Sequence, residues 1–104
     1  MAGLTAGEKQ AMIQKLVDEL PVLRAKLDLS QEELGDRIGL SRQMVVAMEN
    51  QRRPMTWNTY LSLILLFLHN QSTADLIRIL GVYTDKLRAL LDVSGGKRNE
   101  DITG

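Results

Sequence analysis

Cysteine is absent from the 104 residues, and histidine occurs once. Without cysteine neither a disulfide frame nor a thiolate zinc site can form. One histidine, His69, has no second ligand at suitable spacing and reads as a surface or C-cap residue. No nucleophile–base set, metal cluster or glycine-rich phosphate loop is present, so nothing supports an enzyme. Neither sign of charge dominates: 13 Lys and Arg stand against 13 Asp and Glu. A non-specific nucleic-acid binder is usually basic overall, whereas a site-specific one needs only a single basic face. The longest apolar run, near Leu61 to Leu68, is far short of the ~20 residues of a membrane span. The N-terminal MAGLTAGEKQ lacks the basic and apolar regions of a secretory signal. A cytoplasmic protein with no membrane contact is expected. The length suits one compact domain, and 44% hydrophobic with 25% charged residues suits an ordinary globular one.

What is present centres on Leu29 to Asn50, LSQEELGDRIGLSRQMVVAMEN. Ser30 followed by Glu33 makes a capping box, which opens a helix QEELGDRI with Leu34 and Ile38 on one face. Gly39 stops that helix, because glycine tolerates the left-handed conformation common at helix C-termini. Ser41 caps the next helix, RQMVVAMEN, in which Val45 and Met48 face inward. Two short helices joined by a turn containing glycine form the helix-turn-helix signature, whose second helix enters the DNA major groove.

The pattern LSQEELGDRIGLSRQ…V..MEN resembles the lambda-repressor-like, Cro/CI-type helix-turn-helix family (the XRE family), over roughly Val22 to Leu65. The resemblance implies an all-α fold: a lambda-repressor-like helix-turn-helix bundle of about five helices with a C-terminal helical extension. It implies an ion pair between Arg24 and Glu49, tying the first helix to the recognition helix. It also implies a small residue at Gly35, where the motif's helices cross closely. The family usually has Gly where Gln51 stands, so a non-glycine residue there argues against a left-handed turn.

Along the chain, Met1 to Ala6 should be loosely ordered. Thr5 or Gly7 precedes a helix carrying Met12, Ile13, Leu16, Val17 and Leu20. Pro21 should break or kink the chain near Leu20. After a polar loop, Gln51-Arg52-Arg53-Pro54-Met55, Thr56 caps a helix with Trp57, Tyr60, Leu61, Ile64, Leu65 and Leu68 on its apolar face. Leu63, Leu66 and Phe67 leave that helix almost no polar face, so it must be covered on more than one side. Ser72-Thr73-Ala74-Asp75 resembles another capping-box start, opening a helix through Leu76, Ile77, Ile79 and Leu80 that Gly81 closes. Thr84 can cap a last helix with Leu87, Leu90 and Leu91. Residues 8–69 are expected to form the DNA-binding domain. Residues 70–93 would pack on it or form a dimer, and 94–104 would be a disordered tail.

With Val45 and Met48 inward, Arg42, Gln43, Met44, Val46 and Ala47 are shown outward. Arginine can take guanine O6 and N7 together, glutamine adenine N6 and N7, and Val46 or Ala47 can pack on a thymine methyl. The family's base-reading positions fall on Arg42, Gln43, Met44 and Ala47. Met44 and Val46, being apolar, could instead serve a protein contact. Gln31 and Ser41 stand at helix N-termini, which favour an anion. Asn50, Arg52, Arg53 and Thr56 gather at the following loop, and these six are the expected phosphate contacts. The expected function is a sequence-specific double-stranded DNA-binding regulator, most simply a repressor. It would act as a homodimer on a palindromic operator, without a cofactor or a metal. The competing expectation is an antitoxin-like protein-interaction module with a toxin as its partner.

Overall fold

The computed structural model describes residues 3–94. Among them are six helices and no strand: α1 (Ala6–Lys26), α2 (Gln31–Ile38), α3 (Arg42–Glu49), α4 (Trp57–His69), α5 (Gln71–Ile79) and α6 (Asp85–Leu91). Residues 95–104, which hold nearly all of the expected tail, lie outside the described region, as do Met1 and Ala2.

Order begins earlier than the composition of the N-terminus suggests. The Thr5 hydroxyl accepts from the Glu8 N–H at 3.0 Å, and Glu8 Oε1 accepts from the Thr5 N–H at 2.8 Å. This capping box satisfies two donors and starts α1 at Ala6, inside the stretch expected to be loose.

Of the break or kink expected near Leu20, the break does not occur: one helix runs through Pro21. Proline inside a helix removes one hydrogen bond and costs about 3 kcal/mol or more. Burial outweighs that cost. Met12, Ile13, Leu16, Val17, Leu20 and Leu23 are all buried, on both sides of the proline. Each such side chain contributes roughly 1.5–3 kcal/mol. Pro21 itself lies exposed, on the outer side of the helix.

Asp28, with φ 55°, ends α1. The Leu29 N–H reaches the Arg24 carbonyl at 3.1 Å and the Asp28 N–H reaches that of Ala25 at 3.0 Å, a Schellman closure. Ser30 then caps α2 through the expected box with Glu33. Gly39, with φ 79°, closes α2, and the Ser41 hydroxyl caps α3 by accepting from the Met44 N–H at 3.1 Å.

α4 buries Tyr60 and Ile64 from the expected face together with Leu63 and Phe67, and leaves Leu61, Leu65 and Leu68 out of the fully buried stripe. Leu61 and Leu68 are half-buried and Leu65 is 71% exposed. Trp57 is half-buried, stacked on Tyr60 with ring centroids 4.8 Å apart, and Lys9 Nζ lies 5.1 Å from its ring centre.

α5 starts earlier than Ser72 would set it. Its N-cap is Asn70, and Thr73 is already helical and fully buried. The Thr73 hydroxyl donates to the Phe67 carbonyl at 2.6 Å, filling an acceptor that the end of α4 leaves open. Ser72 lies inside the first turn of α5 and so cannot be its cap.

α5 packs on α4 and α1. Ile77, Val82 and Leu87 join the same buried cluster as Leu34, Val45 and Phe67, so the segment after residue 69 shares the core of the motif. The Tyr60 hydroxyl donates to the Val82 carbonyl inside that core. Gly81, with φ 75°, closes α5, and Thr84 caps α6. Of the three leucines assigned to α6, Leu87 alone is buried. A Lys86–Glu8 ion pair ties α6 to the start of α1.

Candidate nucleic-acid interface

The outer face of α3 is held from behind by a polar network. Arg24 donates from Nε to Glu49 Oε2 at 2.9 Å and from Nη2 to Oε1 at 3.2 Å. Its Nη1 donates to the Leu29 carbonyl at 3.1 Å. The Glu49 side chain is only 6% exposed and that of Arg24 21%. Three donors from one guanidinium thus join the end of α1, the entry to α2 and the end of α3. Bidentate geometry at low exposure gives the pair more weight than a surface ion pair.

Gln31 belongs to this network. Its Nε2 donates to Glu49 Oε1 at 2.9 Å. The side chain expected to meet a phosphate is thus engaged inside the protein, because Glu49 has acceptor capacity left after taking both arginine nitrogens.

Gly35 sets the angle of the motif. A Cβ built on it would stand 2.3 Å from the carbonyl oxygen of Leu40. The obstacle is the backbone of the α2–α3 turn itself, not a side chain of the crossing helix. Even alanine is too large, and the Leu40 N–H is bonded to the Gly35 carbonyl at 2.9 Å.

The C-terminus of α3 closes through Gln51, which adopts φ 59° despite being no glycine. The left-handed turn argued against from sequence is therefore present. The Arg52 N–H reaches the Ala47 carbonyl at 2.8 Å and the Gln51 N–H reaches that of Met48 at 3.1 Å. These two Schellman bonds, together with Gln14 Nε2 on Gln51 Oε1 at 3.2 Å, offset the ~1–2 kcal/mol of a left-handed non-glycine residue.

That turn folds Arg52 back beside α3. Arg42, Gln43, Val46, Ala47 and Arg52 line one shallow depression of about 240 Å³. Val46 and Ala47 are half-buried, while Arg42, Gln43 and Arg52 are exposed. Met44 does not line it. At about 100° per residue Met44 sits about 200° round the helix from Arg42, on the flank near Met48, and is half-buried. Ser41 is exposed at the N-terminus of α3, and its hydroxyl accepts the cap bond with its own hydrogen left to donate. Asn50, Arg53 and Thr56 are exposed along the loop that follows, and Thr56 caps α4 by accepting from the Thr59 N–H at 3.2 Å. Among the described residues, no carboxylate pairs with Arg42, Arg52 or Arg53.

Residues 23–56, about a third of the chain, match the model of the helix-turn-helix family HTH_3. This segment is similar to the Cro/CI-type helix-turn-helix domains that the family model describes. The matched residues run from Leu23 on α1 to Thr56, the cap of α4, and so contain the whole α2–turn–α3 unit. Comparisons with curated proteins and with solved structures return no match. The helix-turn-helix family is one of DNA-binding regulators. Among the described residues, no helix is long and apolar enough to cross a membrane. Of the residues expected to touch DNA, Arg42, Gln43, Val46, Ala47 and Arg52 are brought together in the depression beside α3. The sequence argued against the left-handed turn at Gln51, which forms here with a residue other than glycine.

Proposed function

We propose that the chain is a site-specific transcriptional regulator that binds double-stranded DNA as a homodimer, most simply a repressor. The carrying observation is the outer face of α3: Arg42, Gln43, Val46 and Ala47 line one surface with Arg52, and no described acid neutralises its arginines. In this reading Arg42 and Gln43 supply the hydrogen bonds to base edges, and Val46 and Ala47 the apolar contact. Met44 would touch the groove wall at most. Ser41, Asn50, Arg52, Arg53 and Thr56 bring donors to the phosphates, while Gln31 serves by holding Glu49. Arg24 and Glu49 keep α3 at a fixed angle to α1.

The dimer reading rests on apolar side chains left outside the core. Leu65 is 71%, Ile79 80%, Leu91 52% and Val93 67% exposed. Two copies of α3 would enter successive major grooves about 34 Å apart on a palindromic site. The same exposed residues favour a second reading, in which an antitoxin-like chain also holds a partner protein such as a toxin. Selection of sites from random duplex DNA separates the two. A two-fold symmetric sequence, lost in Arg42→Ala/Gln43→Ala, is expected. Enrichment of nothing by folded protein at low salt would favour the protein-interaction reading. With six to ten phosphate contacts, affinity should fall about 10³–10⁵-fold from 50 to 200 mM salt.

A further inference from the structure

The depression beside α3 has an uneven chemistry. Its floor, Val46 and Ala47, offers no side-chain donor or acceptor. Its rim carries two exposed guanidinium groups, Arg42 and Arg52, and the Gln43 amide. Arg42 and Val46 stand one helical turn apart on the same side of α3, about 6 Å along the axis. A base-pair edge facing such a floor gains nothing from a hydrogen-bonding group. In the major groove the one apolar group that a base presents is the C5-methyl of thymine, and the base that best uses an arginine fork is guanine.

We propose that this depression reads a 5-methylpyrimidine followed by guanine, with the methyl on Val46 and Ala47 and the guanine O6 and N7 on Arg42. The proposal rests on the reading of α3 as the base-contacting helix and names the step that it recognises. In unmodified DNA the step is TpG. The same methyl on cytosine makes a 5-methylated CpG equivalent, and an unmethylated CpG inferior. Arg52, across the depression, is left to the phosphate beside the step.

The test is made on the DNA, so that the folding of a variant does not decide it. A site enriched from random duplexes by the full chain should contain TpG in each half. Replacing that thymine by uracil removes only the methyl. One buried methyl corresponds to about four-fold in affinity, and two half-sites to about fifteen-fold. Substituting 5-methylcytosine paired with guanine should restore part of the loss, and unmethylated cytosine should not. Val46→Ser, checked for an unchanged helical signal, should bind the thymine and uracil sites alike. If uracil is tolerated at every position of an enriched site, the methyl reading is overturned while site-specific DNA binding stands. If no site is enriched, base reading by α3 falls and the proposal falls with it.

Discussion

Alanine at Gly35 should destabilise the chain, although alanine is the better helix former. The intrinsic gain from Gly to Ala inside a helix is about 1 kcal/mol. Against it stands a Cβ only 2.3 Å from the Leu40 oxygen. That oxygen belongs to the backbone of a tight turn, so no flexible side chain can move aside. Forcing an extra carbon into a packed site costs typically ~1–3 kcal/mol. Shifting Leu40 also strains the 2.9 Å bond from its N–H to the Gly35 carbonyl, worth about 1 kcal/mol net. The balance is a loss of about 2 kcal/mol, or roughly 8–16 °C in Tm for a chain of this size. Gly7→Ala is the matched control. Gly7 is also helical, but its nearest neighbour to an added Cβ, the Thr5 hydroxyl oxygen, is 3.9 Å away. It should melt at or slightly above wild type. Calorimetry of both variants decides the matter. A Gly35→Ala protein as stable as wild type would refute the claim that the turn closes on this residue. At temperatures where both proteins are folded, Gly35→Ala should also bind operator DNA more weakly, since relief of the clash tilts α3 relative to α2.

Removing Arg24 leaves the Glu49 carboxylate, 6% exposed, with Gln31 alone; Arg24→Ala should cost about 3 kcal/mol by denaturant unfolding, near the lower bound for a broken buried pair because the arginine is a fifth exposed. Arg24→Ala/Glu49→Leu should recover part of that loss, and a double mutant worse than the sum would contradict the pairing. Tyr60→Phe strips the buried Val82 carbonyl of its donor and should cost about 1–2 kcal/mol, whereas no change in urea midpoint would mean the bond is dispensable. The hydrogen bond from Lys86, followed by the backbone N–H of Thr5, pulls the Glu8 carboxyl from 4.5 down to about 2. A depressed carboxyl stabilises the fold above its unfolded value and loses that effect as pH falls, so the α1–α6 tie should weaken between pH 4.5 and 2. Lys86→Ala should flatten the dependence of melting on pH in that window, and a slope unchanged by the substitution would place its origin elsewhere. The Ser30 N–H lowers Glu33 in the same direction, so part of the slope should survive in Lys86→Ala.

The helix-turn-helix was legible because each of its boundaries is written in local chemistry. Ser30 with Glu33, Gly39 and Ser41 act within three or four residues of themselves, and no distant contact needs to be known. The expected corrections fall where a distant group decides. Ser72 with Asp75 looks like the start of a helix, yet the chain is already helical from Gln71, and Thr73 is drawn back to the Phe67 carbonyl at the end of α4. Nothing local in the sequence shows that α3 brings Glu49 to the amide of Gln31. Gln51 looks unfit for a left-handed turn until Ala47 and Met48 supply the two acceptors that hold it there.

Pro21 and α4 show a second limit, in which local rules are correct but outvoted or silent. The proline penalty is real, but it is a few kcal/mol against a stripe of six buried side chains on one continuous helix that packs on both α3 and α4. In α4 the rules cannot choose at all. Nine of its thirteen residues are Trp, Tyr, Leu, Ile or Phe, so several stripes are apolar enough to face inward. What selects Tyr60, Leu63, Ile64 and Phe67 is the partner on each side. Tyr60 needs the Val82 carbonyl for its hydroxyl, and Phe67 must lie where its own carbonyl meets Thr73. Rotating α4 to bury Leu65 would break both bonds and leave polar groups unpaired, at about 1–3 kcal/mol each. Two hydrogen bonds therefore fix a register that hydrophobicity leaves open, and Leu65 is left outside as a consequence.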